Sequence, residues 1–587
     1  MCSEALTPGT ERSLRRSRQR RPGPKAGSAV DPLWHKDALI YQVHVRTFCD
    51  SNGDGVGDFP GLTSKLDYIQ RLGVTAIWLM PFYESPLKDD GYDIAHYERI
   101  DPRYGTIEDF KVFIAEVHRR GLQLFTELVI NHTSAEHPWF QAARRAPAGS
   151  EKRNFYVWSD TDQRYLGARI IFTDVEKSNW TWDPVAGQFY FHRFFAHQPD
   201  LNFDNPRVQR TALKVMRFWL DLGVDGLRLD AVSHLFEREG TSCENLPETH
   251  VFLKKIRAEM DCCYTNRVVL AEADQLPAAA RPYFGAGDEC HMAFHFPLMP
   301  KLFLALAREL AAGIVEIVKE TDFLPETCQW AIFLRNHDEM ALSTVTHAER
   351  VEILDFYAPD PRMRLNWGIR RRLAPLFGND RRRLRLAISL MFSLPGTPVI
   401  YYGDELGMGD NIWLNDRDGV RTPMQWNDTP NAGFSSSTGH LISPLIEDDV
   451  YGYRTLNVAA QDSDPESPLA WMRELIRLRR AHQVFGRGTT TFVETHNAAV
   501  LGFWRRYRDE EVLVLANLST TLETCTLLPP HRELGSAVVD LVKQARCEVA
   551  PDQPFKLTLA PSAFVWLLPD RAAAPSNTSP ASVQSSI

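Results

Sequence analysis

Short apolar runs alternate with amphipathic stretches along the first third of the chain. Residues 38–45 read as a β-strand, and Leu62, Leu66, Ile69 and Leu72 then recur at helical spacing. Residues 74–80 form the next buried-strand run. Ile107, Phe110, Ile114 and Val117 mark another helix face, followed by the apolar run 122–130. Strand–helix repetition of this kind predicts a parallel sheet with helices packed outside it.

The rhythm stops at Asn131. About seventy residues follow with many aromatics and turns and little helical period, and the run Phe189-Tyr-Phe-His-Arg-Phe-Phe reads as strand. Residues 131–205 are therefore read as a subdomain inserted after the third strand. The rhythm then resumes. Leu213, Met216, Trp219 and Leu220 share a helix face, and strands are predicted at 224–229, 268–271, 292–296, 330–334 and 399–402. Eight strands with intervening helices close most economically as an α/β fold of the (β/α)8, TIM-barrel type. From about residue 490 the runs 499–507, 511–518 and 555–568 alternate with turns, which predicts a C-terminal antiparallel β-domain. The chain divides into a basic tail (1–30), a first barrel part (31–130), the insert (131–205), a second barrel part (206–488), the β-domain (489–570) and an Ala/Pro/Ser-rich tail (571–587). Both tails have the composition of disordered segments.

Composition narrows the function classes. Lys+Arg 66 against Asp+Glu 75 leaves a net charge of −9, the wrong sign for non-specific nucleic-acid or anionic-membrane binding. No apolar run reaches the ~20 residues that span a bilayer. The basic run 12–21 is followed by Pro22-Gly-Pro rather than an apolar segment, so it does not read as a secretory signal. Nine scattered cysteines without a C-x-x-C pair suit a reducing cytoplasm and exclude zinc-ribbon spacing. Asn131-His-Thr and Asn179-Trp-Thr match glycosylation sequons by chance if the protein is not exported. The arginine runs 370–372 and 381–383 look like a nucleic-acid patch in isolation; the acidic balance favours a solvated, salt-bridged helical face.

Barrel enzymes place catalysis at the C-terminal ends of strands. The fourth predicted strand ends Gly226-Leu-Arg-Leu-Asp230, and period two puts Arg228 and Asp230 on one face, where Arg228 would keep Asp230 ionised as a nucleophile requires. The fifth ends Leu270-Ala-Glu272, a carboxyl whose apolar setting would raise its pKa, as a general acid requires. The seventh ends Arg335-Asn-His337-Asp338 and the third Asn131-His132. Each residue alone reads as a turn, a cap or a satisfied polar group. Four strand ends bearing Asp, Glu and His on one rim read as an active site.

ELVINH at 127–132, GLRLDAV at 226–232, Glu272 of LAEAD and RNHDE at 335–339 resemble, in order and spacing, the four signature regions of the α-amylase superfamily of glycoside hydrolases. DSNGDGVGDFPGL at 50–62, HQPDLNFDNP at 197–206, CENLPETH at 243–250, GDECHMAFHFPLMP at 287–300, GIRRRLAPLFGND at 368–380 and GDNIWLNDRDGVRTPMQW at 409–426 are similar to the members that interconvert maltose and α,α-trehalose. The resemblance runs from about residue 31 to residue 570. It implies Asp230 as nucleophile, Glu272 as acid/base and Asp338 as the carboxylate that holds the sugar hydroxyls. It implies Arg228, His132 and His337 on the same glucose, with Tyr92 under its apolar face. By the same resemblance Asp89 pairs with Arg421 to grip the far hydroxyl, closing the pocket after one sugar; a plain structural ion pair is the bland alternative. Phe189, Tyr190, Phe191, Phe194 and Phe195 are candidates for a wall that keeps water out, although core positions in the insert account for most of them.

The loop Asp50-x-Asn52-x-Asp54-Gly-Val56-x-Asp58 begins like an EF-hand, but Gly61 stands where the twelfth-position Glu belongs. Oxygen side chains on alternate positions still read as a structural Ca²⁺ site, which the family carries here. The resemblance implies a second Ca²⁺ site from Asn131, Asp200 and Glu237 with backbone oxygens of His234 and Leu235; a polar insert–barrel seam is the alternative. No organic cofactor is expected. Two departures stand out: Glu127 replaces the usual Asp, and Asp274 stands where Asn is expected, beside Glu272. The rival activity is an exo-acting α-glucosidase of the oligo-glucosidase type, which shares every catalytic residue. A maltosyltransferase using a sugar phosphate lacks a dedicated phosphate loop here, and non-catalytic transporter partners lack the carboxylates. The expected partner is a disaccharide, with no nucleic acid and no membrane; a homo-oligomer is left open.

Overall fold

The computed structural model describes residues 31–570 apart from Phe323, Pro530, His531 and Pro551. The two tails predicted to be disordered lie outside the described residues. Eight parallel strands close a barrel: β1 (Ile40–Val43), β2 (Ala76–Leu79), β3 (Gln123–Val129), β4 (Gly226–Asp230), β5 (Val268–Ala271), β6 (Met292–Phe294), β7 (Gln329–Phe333) and β8 (Thr397–Tyr401), each hydrogen-bonded to its neighbours in sequence, β8 returning to β1. β1, β2, β4, β5, β6, β7 and β8 are buried along their whole length, because helices cover one face and barrel side chains fill the other. This is why these strands read as continuous apolar runs and not as alternation.

The crossover helices carry their own start signals. Thr106 and Asp109 form a reciprocal capping box on the helix Ile107–Arg119. Asn205 caps Pro206–Asp221, with Pro at its first position. Gly226 opens β4 where a Cβ would stand 2.2 Å from the Phe125 ring, so β4 approaches β3 closely only with glycine there.

Between β3 and β4 the insert forms a three-stranded antiparallel sheet of Trp158–Ser159, Trp180–Asp183 and Gln188–Phe191. After the barrel, a six-stranded sheet and the pair Glu523–Leu527/Phe555–Leu559 are antiparallel throughout and share a separate apolar core around Trp504, Leu513 and Leu567. Buried Arg505 ties this domain to the barrel, donating to the carbonyls of Ser393, Phe485 and Gly488.

The arginine run at 370–372 is not a solvated helical face. Arg370 donates to the carbonyls of Leu414 and Asp416, Arg371 pairs with Asp410, and Arg372 is buried against Tyr401 and Tyr402. Only the run at 381–383 opens a helix, Arg381–Ser393, capped by Asp380.

Candidate active site

A pocket at the C-terminal ends of the barrel strands is lined by Asp89, Tyr92, His132, Asp230, Glu272 and Asp338, all named from sequence. The insert closes over it with Phe172 and Phe194, and the loop after β8 contributes Arg417. Among the five aromatics expected to form a wall, only Phe194 lines the pocket. Phe191 packs with Trp180 and Tyr165, Tyr190 with Phe140, Phe189 with Trp182, and Phe195 against Phe172 and His197. The second wall residue is Phe172, which sequence reasoning missed: it ends the short apolar run Ile170-Ile171-Phe172, which carries no mark that separates a pocket wall from core.

Asp230 is the last residue of β4, and Glu272 follows β5 directly. Arg228 joins them: its Nη1 donates to Asp230 Oδ1 at 2.7 Å and to Glu127 Oε2 at 2.8 Å, while its Nη2 donates to Glu272 Oε1. Ala231, next to Asp230, has φ 49°, and its backbone N–H donates to Glu272 Oε2 at 3.0 Å. A left-handed alanine costs about 1–2 kcal/mol; here the conformation turns a backbone donor onto the acid/base.

Burial pushes the Glu272 carboxyl up to about 8, opposed by Arg228 and reinforced by Asp230 and Asp338, so it carries a proton at neutral pH. Burial also pushes Asp230 up to about 7, with Arg228 pulling down and Glu127 and Asp338 pushing up. Arg228 was expected to keep Asp230 ionised. That expectation needs correcting, because one guanidinium is shared among three carboxylates and its charge is divided. Glu127 reaches this network as well, accepting from Trp78 Nε1 at 2.9 Å.

Asp338 is held from three sides. His337 Nε2 meets Oδ2 at 2.9 Å, and Arg417 and Arg421 both donate to Oδ1, at 2.9 and 3.0 Å. Burial works to raise this carboxyl, but His337, Arg417 and Arg421 hold it well below the usual carboxylate range. The Gln42 amide, 2.6 Å from His337 Nδ1, leaves Nε2 as the protonated nitrogen, and burial keeps the ring neutral by lowering it to about 4. The Tyr92 ring stacks on His337 at 5.6 Å, with its hydroxyl 2.7 Å from Nε2. His132 lines the pocket with a buried Nε2 that has no protein partner, as a group awaiting a sugar hydroxyl has.

The expected Asp89–Arg421 clamp is not formed. Asp89 pairs with Arg417, Nη2 to Oδ1 at 2.6 Å. Arg421 turns away from the pocket onto Asp90 at 2.8 Å and is 1% exposed. The segment carries both arginines, and spacing alone does not choose between them; the turn Asp418–Val420 sends Arg417 inward and Arg421 beneath.

Asp274 also lines the pocket. Its Oδ2 accepts from Ser343 at 2.5 Å, while Oδ1 is buried without a partner. The charged groups that act most on Glu272 are Arg228, Asp230 and Asp338.

The Asp50–Asp58 loop lies outside the pocket lining, whereas His234, expected at the second metal site through its backbone oxygen, lines the pocket. Asp50 accepts from the backbone N–H groups of Asn52, Gly53 and Gly55 and from Ser435; Asn52 accepts from Asp54, Asp54 from Val56, and Asp58 from Ser51 and Gly61. These turns preshape an all-oxygen donor set whose carboxylates keep further lone pairs. At the insert–barrel seam, Asn131 Oδ1 and Asp200 Oδ2 are buried acceptors without partners. Burial raises Glu237 further because of nearby Asp200. Both donor sets fit a hard cation chemically. Among the described residues, no group of three or more His, Cys, Asp or Glu side chains is gathered to hold a metal.

The closed eight-stranded barrel, with the carboxyl groups of Asp230 and Glu272 at adjacent strand ends, has the architecture of the α-amylase class of glycoside hydrolases. The chain belongs to the α-amylase family: residues 42–357 and 369–488 match the model described as alpha amylase, catalytic domain, and 490–566 match maltogenic amylase, C-terminal domain.

Among individual proteins, it is similar to a trehalose synthase/amylase of Mycolicibacterium smegmatis, 52% identical over 92% of this chain and 93% of that one. A trehalose synthase of Pimelobacter is 50% identical over 91% and 96%. An oligo-1,6-glucosidase of Parageobacillus thermoglucosidasius is 29% identical over 84% and 91%. The crystal structure of a trehalulose synthase from Pseudomonas mesoacidophila matches with a TM-score of 0.73 at 28% identity, covering 91% of this chain and 99% of that one.

Proposed function

We propose that this protein is an isomerase that interconverts maltose and α,α-trehalose by transglucosylation within one pocket. The observation that carries the reading is identity of about half the residues, over more than nine-tenths of the chain, to proteins named trehalose synthase, joined to a pocket lined by the paired side chains of Asp89 and Arg417.

Asp230 attacks the anomeric carbon of the bound glucosyl unit while Glu272 passes its proton to the departing glycosidic oxygen. A β-glucosyl ester on Asp230 forms, and a free glucose remains in the pocket. That glucose turns over, gives the proton of its anomeric hydroxyl back to Glu272, and the oxygen of that hydroxyl displaces Asp230 from the α face. Asp338 and His132 hold the hydroxyls of the first glucose throughout. Phe172 and Phe194 exclude water, which would otherwise take the glucosyl group and give two glucoses.

Calcium belongs to this proposal as a structural ion, held by Asp50, Asn52, Asp54, the Val56 carbonyl and Asp58, with a second ion at Asn131, Asp200 and Glu237 and the carbonyls of His234 and Leu235. It supplies cross-linking charge to loops and takes no part in the chemistry. Buried thiols such as Cys49, Cys290 and Cys328 stand as free cysteines, which suits a reducing compartment such as the cytoplasm. Among the described residues no helix is long and apolar enough to cross a membrane.

The test is incubation with maltose and chromatographic resolution of trehalose from glucose. Trehalose as the main product supports the isomerase. Glucose alone would move the assignment to an α-glucosidase, which the same catalytic residues serve.

A further inference from the structure

Asp90 follows Asp89 directly, but its carboxylate enters the protein and not the pocket. It is 5% exposed and sits at φ 50°, a left-handed conformation disfavoured for a non-glycine residue. Three donors converge on it: His44 Nε2 lies 3.0 Å from both oxygens, Arg46 Nη1 meets Oδ1 at 2.7 Å, and Arg421 Nη1 meets Oδ2 at 2.8 Å. Arg421 carries the connection onward, its Nε to the His337 carbonyl at 2.9 Å and its Nη2 to Asp338 Oδ1 at 3.0 Å. Two consecutive aspartates thus engage two arginines that meet on one oxygen of Asp338, and of these arginines only Arg417 lines the pocket.

A buried carboxylate among two guanidiniums and an imidazole is weak evidence for stability, since apolar packing often does as well. What it supplies is a fixed direction for Arg421. We propose that Asp90 is a positioning residue: anchored by His44 and Arg46, it holds Arg421 beneath the pocket floor so that this guanidinium aims the Asp338 carboxylate at the glucose hydroxyls. The proposal rests on the reading of Asp338 as a sugar-holding carboxylate and is independent of which acceptor takes the glucosyl group.

Release of p-nitrophenol from p-nitrophenyl α-D-glucoside tests it, because formation of the glucosyl-enzyme is common to isomerase and glucosidase. Asp90→Asn, Arg421→Lys and the double variant are compared, with melting temperatures recorded. Asp90→Asn is expected to lower kcat about 10-fold, the scale of a sub-ångström misplacement, with KM changed less than about twofold. In the Arg421→Lys background it is expected to cost nothing further, the mark of two residues acting through one contact. The proposal is overturned if the two losses multiply, or if Asp90→Asn lowers the melting temperature and leaves kcat intact. Should Asp90→Asn not fold, Asp90→Glu, which keeps the charge and moves the anchor, takes its place under the same criteria. Failure of wild-type protein to release p-nitrophenol would count against the glycosidase-type site itself and not against the role of Asp90 within it.

Discussion

Arg417 places one guanidinium between Asp89 and Asp338, donating to the first at 2.6 Å and to the second at 2.9 Å, with both Arg417 and Asp89 side chains 6% exposed. One part of the pocket lining is therefore a charged wall that Asp89, Arg417 and Asp338 share. Burial pushes Asp89 up to about 7 even with Arg417 beside it.

Arg417→Ala is expected to raise KM for maltose at least ~10-fold, because unpairing a buried charge costs several kcal/mol. Arg417→Lys is expected to recover little, since a single ammonium does not span two carboxylates. Steady-state kinetics check both.

The pH profile follows from the pair. Attack requires Asp230 ionised and Glu272 protonated. With Asp230 raised to about 7 and Glu272 to about 8, kcat/KM should fall as pH drops through the first value and as it rises through the second. A profile flat from pH 5 to pH 9 would remove this assignment of acid and nucleophile.

Glu272→Gln should abolish trehalose and glucose together, because one carboxyl serves both departure and return of the proton. Product analysis from maltose reads this directly. Survival of either product would separate the two steps onto different residues.

Asp274→Asn should leave the alkaline limb of the pH profile in place, because Asp274 is engaged by Ser343 and the charged groups acting most on Glu272 are Arg228, Asp230 and Asp338. An alkaline limb displaced downward would show that the carboxylate does raise its neighbour.

Calcium removal should act on stability and not on the reaction. EDTA, and separately Asp54→Ala, are expected to lower the melting temperature while kcat on the folded protein stays within about twofold. Unchanged melting in both cases would exclude an ion at Asp50–Asp58.

The sequence by itself determined the barrel and named the carboxylates that line its pocket. Buried parallel strands leave apolar runs such as Val268–Ala271, whose periodicity is local; Asp230 ends one such strand, Glu272 directly follows another, and Asp338 lies in the loop after a third. Tertiary structure decided what lies between loops. Arg417 and Arg421 are four residues apart in one segment, and only the fold of the turn between them sends the first to Asp89 and the second to Asp90. The same holds for the aromatic wall, where five insert aromatics share one composition but only Phe194 emerges into the pocket beside Phe172. Arg228 is the sharpest case. Period two predicted its contact with Asp230, but the division of its charge with Glu127 and Glu272 arises because three separate strands converge on one barrel rim. Local pattern records which side chains share a face; how a charge is shared depends on neighbours a hundred residues away.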